Sequence, residues 1–127
     1  AAFKGRPETD DTRGSLFQPV VAALRARFPE AQIVGWDPIV TAKAIAQLGV
    51  EAASSVEDAF TASSLVVIQN NHEAFARLSF AGLSRLMRTP AIIHDIWNQQ
   101  PTLDQSELAE GVAYRAFGAF NIIGAVA

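Results

Sequence analysis

The chain has 127 residues, half of them hydrophobic, a net charge of −3, a pI near 5.3 and no cysteine. That length supports one domain with a core of its own, and the missing cysteines exclude disulfides, thiolate metal sites and a cysteine nucleophile from this chain. The acidic balance, with no basic block, excludes a nucleic-acid groove, and no apolar run reaches the ~20 residues of a membrane helix, so the chain reads as soluble.

Taken in order, the chain opens on a short apolar run, Ala1 to Phe3, that leads into a dense cluster of opposite charges: Lys4, Arg6, Glu8, Asp10, Asp11 and Arg13. A typical strand has about five residues, so this opening reads as the end of a strand cut from a longer protein. The charge cluster suits a loop that folds on itself around an anion. Ser15 with Gln18 fits a capping box, and Phe17, Val20, Val21, Leu24 and Phe28 recur at helical spacing. Pro19 is tolerated in the first turn of that helix, and Pro29 ends it. Gln32 to Trp36 reads as a buried strand closed by Asp37-Pro38, and Thr41 to Leu48 as a helix stopped by Gly49. Val50 to Ala53 predicts a short strand, Ser55 to Ala62 a helix capped by Ser54 or Ser55, and Leu65 to Ile68 a strand whose polar terminus is Gln69-Asn70-Asn71. Glu73 to Met87 predicts a short helix or turn and then a second helix. Pro90 to Ile93 forms a strand ending at His94-Asp95. Leu103 to Glu110 reads as a polar loop and Gly111 to Phe117 as a last strand.

Strands alternating with helices, each strand apolar throughout, give an α/β fold: a doubly wound, Rossmann-like parallel sheet in three layers, α/β/α, forming one domain over residues 1–127. Ligands in such folds lie beyond the carboxyl ends of the strands. Those ends are Lys4, Asp37, Asn70 with Asn71, and Asp95 with Trp97 and Asn98. They make a polar lining for a ligand with phosphate and hydroxyl groups. On residue type alone Lys4 is a surface lysine; at a strand terminus its ammonium is a phosphate or hydroxyl partner. Arg6 reads as solvated, with a bidentate phosphate contact as its sharper role. Asp10, Asp11 and Arg13 read as a loop-fixing set rather than a catalytic acidic pair, because an adjacent arginine favours the charged carboxylate. Trp36 and Trp97 are core or rim aromatics, and Trp97 alone also sits where it would stack on a base or sugar. His72 and His94, without cysteine or a suitably spaced carboxylate, do not make a zinc site. No Gly-x-Ser-x-Gly elbow and no Gly-x-Gly-x-x-Gly fingerprint is present, so neither a hydrolase triad nor the usual cradle for a dinucleotide pyrophosphate is supported.

Several segments together resemble one family. They are Phe3-Lys4 followed by Thr9-Asp10-Asp11-Thr12-Arg13-Gly14-Ser15, Gly35-Trp36-Asp37-Pro38, Asn70 to Phe75, Ile92 to Asp95, and Tyr114 to Gly118. The chain is similar to the C-terminal, nucleotide-sugar-binding domain of the UDP-glucose/GDP-mannose dehydrogenase family. The resemblance implies the substrate-binding part of an NAD-dependent 6-dehydrogenase, which oxidises a sugar C6 alcohol to a carboxylate in two hydride transfers during polysaccharide precursor synthesis. It implies that NAD and the cysteine nucleophile belong to other domains of the same polypeptide, that the isolated chain is inactive, and that the full-length protein is a cytoplasmic homodimer. Its ligand would be a UDP- or GDP-linked sugar contacted by Phe3 and Lys4, with Thr9, Asp10, Asp11 and Arg13 structuring the loop; Arg6, which has no clear counterpart in the family, and Asp95, Trp97 and Asn98 join them as substrate contacts by their places in the loop and at the strand ends. No metal, nucleic acid or membrane is expected.

Two departures from the family pattern bear on substrate. Gly5-Arg6-Pro7-Glu8 lengthens the loop between Lys4 and Thr9. Asp95-Ile96-Trp97-Asn98 stands where many members have Asp-x-Arg-Asn, whose arginine reaches substrate across the dimer. These changes point to a branch outside the ordinary UDP-glucose enzymes, such as one using an N-acetylhexosamine nucleotide. The competing reading is a non-catalytic Rossmann-like module of assembly or regulation.

Overall fold

Helix α1 (Phe17–Arg27) begins where Ser15 turns the chain: its Oγ accepts from the Phe17 amide at 3.0 Å. Gln18 takes no part in the cap, because the helix starts too late for the expected Ser15–Gln18 box. The computed structural model describes residues 9–117; Phe3, Lys4 and Arg6, and the strand expected before the charged loop, lie outside them. Phe17 and Val21 are the buried side of α1. Strand β1 (Val34–Gly35) follows, then α2 (Ala42–Gln47), whose Thr41 Oγ1 accepts from the Ala44 amide. Strand β2 (Glu51–Ala52) pairs parallel with β1, placing Val34 against Glu51 and Gly35 against Ala52.

The second half of the chain repeats the pattern. Helix α3 (Val56–Phe60) is capped by the Ser55 hydroxyl and by a return contact from Asp58 to the Ser54 amide. Strand β3 (Leu65–Ile68) leads to two short helices, α4 (Glu73–Ala76) and α5 (Phe80–Ser84), then to β4 (Ala91–Asp95). A single 3-10 turn at Gln105–Glu107 precedes β5 (Val112–Ala116). Strands β3, β4 and β5 are all parallel, with Ile68 opposite Asp95 and Asp95 opposite Ala116. The architecture is thus α/β and Rossmann-like, and among the described residues its strands form two parallel sheets, β1-β2 and β3-β4-β5.

The core is divided in the same way. Phe17, Val21, Val40, Ile45 and Val50 pack around the two-stranded sheet. A larger cluster, with Phe60, Phe80, Ile93 and Val112 among its members, packs around the three-stranded one. Trp36, just beyond β1, reaches the larger cluster and meets the Phe75 ring edge-on at 6.2 Å. Close packing explains one residue choice in β1. A β-carbon on Gly35 would stand 3.0 Å from Ile45 and 3.2 Å from both Phe17 and Val50, so only glycine lets both helices approach the strand this closely.

Candidate functional site

Parallel strands all present their carboxyl ends along one edge, and that edge gathers Asp37, Gln69 to His72, and Asp95 to Gln100. Asp37 is buried just past β1. Its Oδ1 accepts from the amides of Ile39 and Val40 at 2.8 and 2.9 Å, and its Oδ2 from Asn70 Nδ2 at 3.2 Å. A carboxylate facing two successive amides is the natural way to turn a chain out of a strand, since it satisfies donors that no ladder partner reaches. Asn70, 2 % exposed, ties that turn to the end of β3 and takes the His72 amide on its Oδ1 at 3.0 Å. His72 then caps α4 with its ring: Nδ1 accepts from the Ala74 amide at 2.9 Å, which fixes that nitrogen as the unprotonated one.

Asp95 performs the same task at the end of β4 with more partners. It has no exposed surface, and its Oδ1 accepts from the Trp97 amide at 2.9 Å. Its Oδ2 accepts from the Gln99 amide and from the Tyr114 hydroxyl, both at 2.7 Å. Burial, and then the hydrogen bond to Asp95, push the Tyr114 phenol well above its ordinary value. The chain beyond Asp95 is pinned to the neighbouring loop by its side chains. Trp97 Nε1 donates to the Gln69 carbonyl at 3.0 Å, Gln99 Nε2 to the Asn70 carbonyl at 3.2 Å, and Gln100 Nε2 to the carbonyls of Phe75 and Leu78. Gln99 Oε1 is buried with no hydrogen-bond partner among the described residues, the kind of acceptor that water or a ligand hydroxyl satisfies. Asn98 sits at φ +49, a left-handed conformation that asparagine tolerates better than most residues.

The result is a polar rim with one aromatic on it. The Trp97 side chain is held by its indole nitrogen, yet the residue is 47 % exposed. A tryptophan anchored at one end and bare on its surface offers a stacking platform at little further cost in side-chain entropy.

Of the residues singled out from the sequence, Asp95, Trp97 and Asn98 meet on this rim, with Asp95 beneath it and the other two at or near its surface. Thr9, Asp11 and Arg13 form a separate knot before α1. The Asp11 amide donates to Thr9 Oγ1 at 3.1 Å, and Arg13 grips the Asp11 carboxylate with Nε and Nη2 at 2.9 and 2.8 Å. Those hydrogen bonds to the Arg13 side chain, then its amide, bring the Asp11 carboxyl down to about 2. Asp10 is exposed. The sequence pattern assigned no role to Gln99 or Gln100, and to Tyr114 only a place in the Tyr114 to Gly118 segment. The alternation of β5 carried a signal for Tyr114: it lies opposite Ile93 and so shares a sheet face with Asp95. Among the described residues no group of His, Asp and Glu is arranged to hold a metal ion, and no helix is long and apolar enough to cross a membrane.

Residues 1–101 match the family model described as the UDP-glucose/GDP-mannose dehydrogenase family, UDP binding domain. Comparison with curated proteins gives no match.

Proposed function

The chain belongs to the UDP-glucose/GDP-mannose dehydrogenase family by its UDP-binding domain, and we propose that it is the nucleotide-sugar-binding domain of an NAD-dependent 6-dehydrogenase. In that enzyme the sugar C6 alcohol becomes a carboxylate in two hydride transfers, in the cytoplasm, as a step of polysaccharide precursor synthesis. NAD, bound by another domain of the same polypeptide, accepts the hydrides; this chain binds and orients the substrate. The whole protein would work as a homodimer, and residues 1–127 as one domain without turnover of their own.

The observation that carries this reading is Trp97, exposed yet tethered on the carboxyl-end rim of a parallel sheet, where ligands of doubly wound folds lie. The base or sugar stacks on its ring. Asn98, whose side chain is an amide donor and acceptor, contacts hydroxyls at the same rim. Asp95 has both carboxylate oxygens committed within the protein, so it serves the ligand through the loop it shapes. Phe3, Lys4 and Arg6 complete the site, with Lys4 toward the sugar or diphosphate and Arg6 toward a phosphate. Thr9, Asp10, Asp11 and Arg13 hold the loop that carries them. Trp97 in place of a family arginine exchanges a charge contact for a stacking one, which favours a nucleotide sugar with an apolar group such as N-acetyl.

Calorimetric titration of the chain with UDP, GDP, UDP-N-acetylglucosamine and AMP tests this. The expected outcome is preference for a uridine or guanosine diphosphate over AMP, weakened in Lys4→Ala. Equal affinity for AMP, or none at millimolar ligand (about −4 kcal/mol), contradicts it.

A further inference from the structure

Side chains alternate between the two faces of a strand, and the faces of the β3-β4-β5 sheet differ sharply. Ile93 belongs to the larger core cluster and is 0 % exposed. Ile92, on the other face, is 43 % exposed, and Leu65, its partner in register, 38 %. Parallel sheets are ordinarily covered on both faces. Here the second face is the floor of a groove of about 620 Å³, and α1 is its wall through Val20, Leu24 and Phe28. Register orders the floor into two rows. Leu65, Ile92 and Ala113 make an apolar one; Val67, His94 and Arg115, two residues further toward the carboxyl ends, make one with two basic side chains. Arg27 of α1 adds a third basic side chain to the lining. Among the described residues no Asp or Glu lines the groove, and no carboxylate pairs with Arg27, His94 or Arg115. In a chain of net charge −3 this is a local reversal of sign.

We propose that the groove docks an amphipathic helix of a partner protein, one whose apolar stripe is flanked by Asp or Glu. Width selects a helix: three strands ~4.8 Å apart give a floor ~10 Å across, the diameter of an α-helix, and a helix is the element that ordinarily covers a parallel sheet. Charge selects its flanks. The apolar row receives the stripe, while Arg115 and His94 at one end and Arg27 on the wall meet the carboxylates, an arrangement that rewards acidic partners and penalises basic ones. Shape separates this occupant from two others. A flat bilayer does not reach the floor of a recess walled by α1, and the groove is too open to solvent to enclose most of a small ligand, as small-molecule sites do.

The test needs no nucleotide and uses residues outside the Trp97 rim, so it stands or falls apart from the ligand assignment. Two synthetic peptides of about 18 residues, long enough to hold a helix, share one leucine stripe; one is flanked by Glu and the other by Lys. Each is titrated into the isotope-labelled chain while amide shifts are followed. Expected are shifts centred on Ile92, His94, Ala113 and Arg115, with the Glu peptide binding about tenfold more tightly than the Lys peptide. The double variant Arg27→Glu, Arg115→Glu should invert that preference, an outcome that mere loss of folding cannot mimic. Equal affinity of the native chain for both peptides, no binding at millimolar peptide, or shifts centred elsewhere would overturn the proposal. So would shifts on this face from dodecanoate or phosphatidylserine vesicles but not from the Glu peptide, which would assign the groove to a lipid.

Discussion

Asp95 and Tyr114 are nineteen positions apart in the chain and 2.7 Å apart in space, and the bond between them sits where no water competes for the carboxylate. Removing the hydroxyl while keeping the ring isolates that bond. Tyr114→Phe should lower stability by about 1–3 kcal/mol, measured by denaturant unfolding, because a buried acceptor loses one of its donors. The same residue sets an alkaline limit. Its folded-state value is raised, so its contribution is complete below the unfolded phenol's ordinary value of 10.0. As pH rises beyond that, the unfolded chain releases the proton before the folded one does, and stability falls. Melting curves across alkaline pH should show this loss in the native chain and its disappearance in Tyr114→Phe. At the acid end the sign is opposite. Asp11 titrates near 2 when folded against 3.8 ordinarily, so its contribution is complete above the ordinary value and is lost as pH falls toward 2. The carboxyl carbon shift of Asp11 should report that midpoint, and Arg13→Ala should return it toward 3.8.

At the scale of elements, β1 depends on what it lacks. Gly35→Ala inserts a methyl among Ile45, Phe17 and Val50, all within 3.2 Å. It should destabilise the chain by about 1–3 kcal/mol in denaturant unfolding through overpacking. Most elements were legible because each has one dominant local cause. Leu65 to Ile68 is apolar and rich in β-branched residues, and it forms a strand with the bounds its sequence suggests. Thr41 and Ser55 announce α2 and α3 by supplying the cap oxygen. Gln32 to Trp36 was read as a longer strand than it is. Gly49 at φ +90 and the Ser55 cap of α3 bracket β2, which gives β1 two residues of β2 to pair with. His72 as a cap was not legible either, since a ring nitrogen replaces the usual hydroxyl or carboxylate there.

For the molecule as a whole, the carboxyl-end rim was the most readable feature of the candidate site, because parallel α/β order alone dictates which strand ends gather. Its internal chemistry was not. The sequence suggested Asp95 as a ligand contact, whereas its burial follows from long-range register with β5, which no local pattern encodes. Gln99 and Gln100 act by reaching backbone carbonyls on other loops, and glutamine carries no motif that announces such a role. Ligand affinity is therefore expected on the outer surface of the rim. Trp97→Ala should cost about 1–3 kcal/mol of nucleotide affinity, the scale of one base stacked on an aromatic ring, with little change in melting temperature. The most direct measurement is the change in amide and indole NMR shifts as UDP is added to the labelled chain. Shifts concentrated at Asn71, Trp97 with its indole proton, and Asn98, and absent in Trp97→Ala, are expected. Shifts confined to the opposite sheet edge, around Ser64 and Arg88, or none at millimolar UDP, would contradict it.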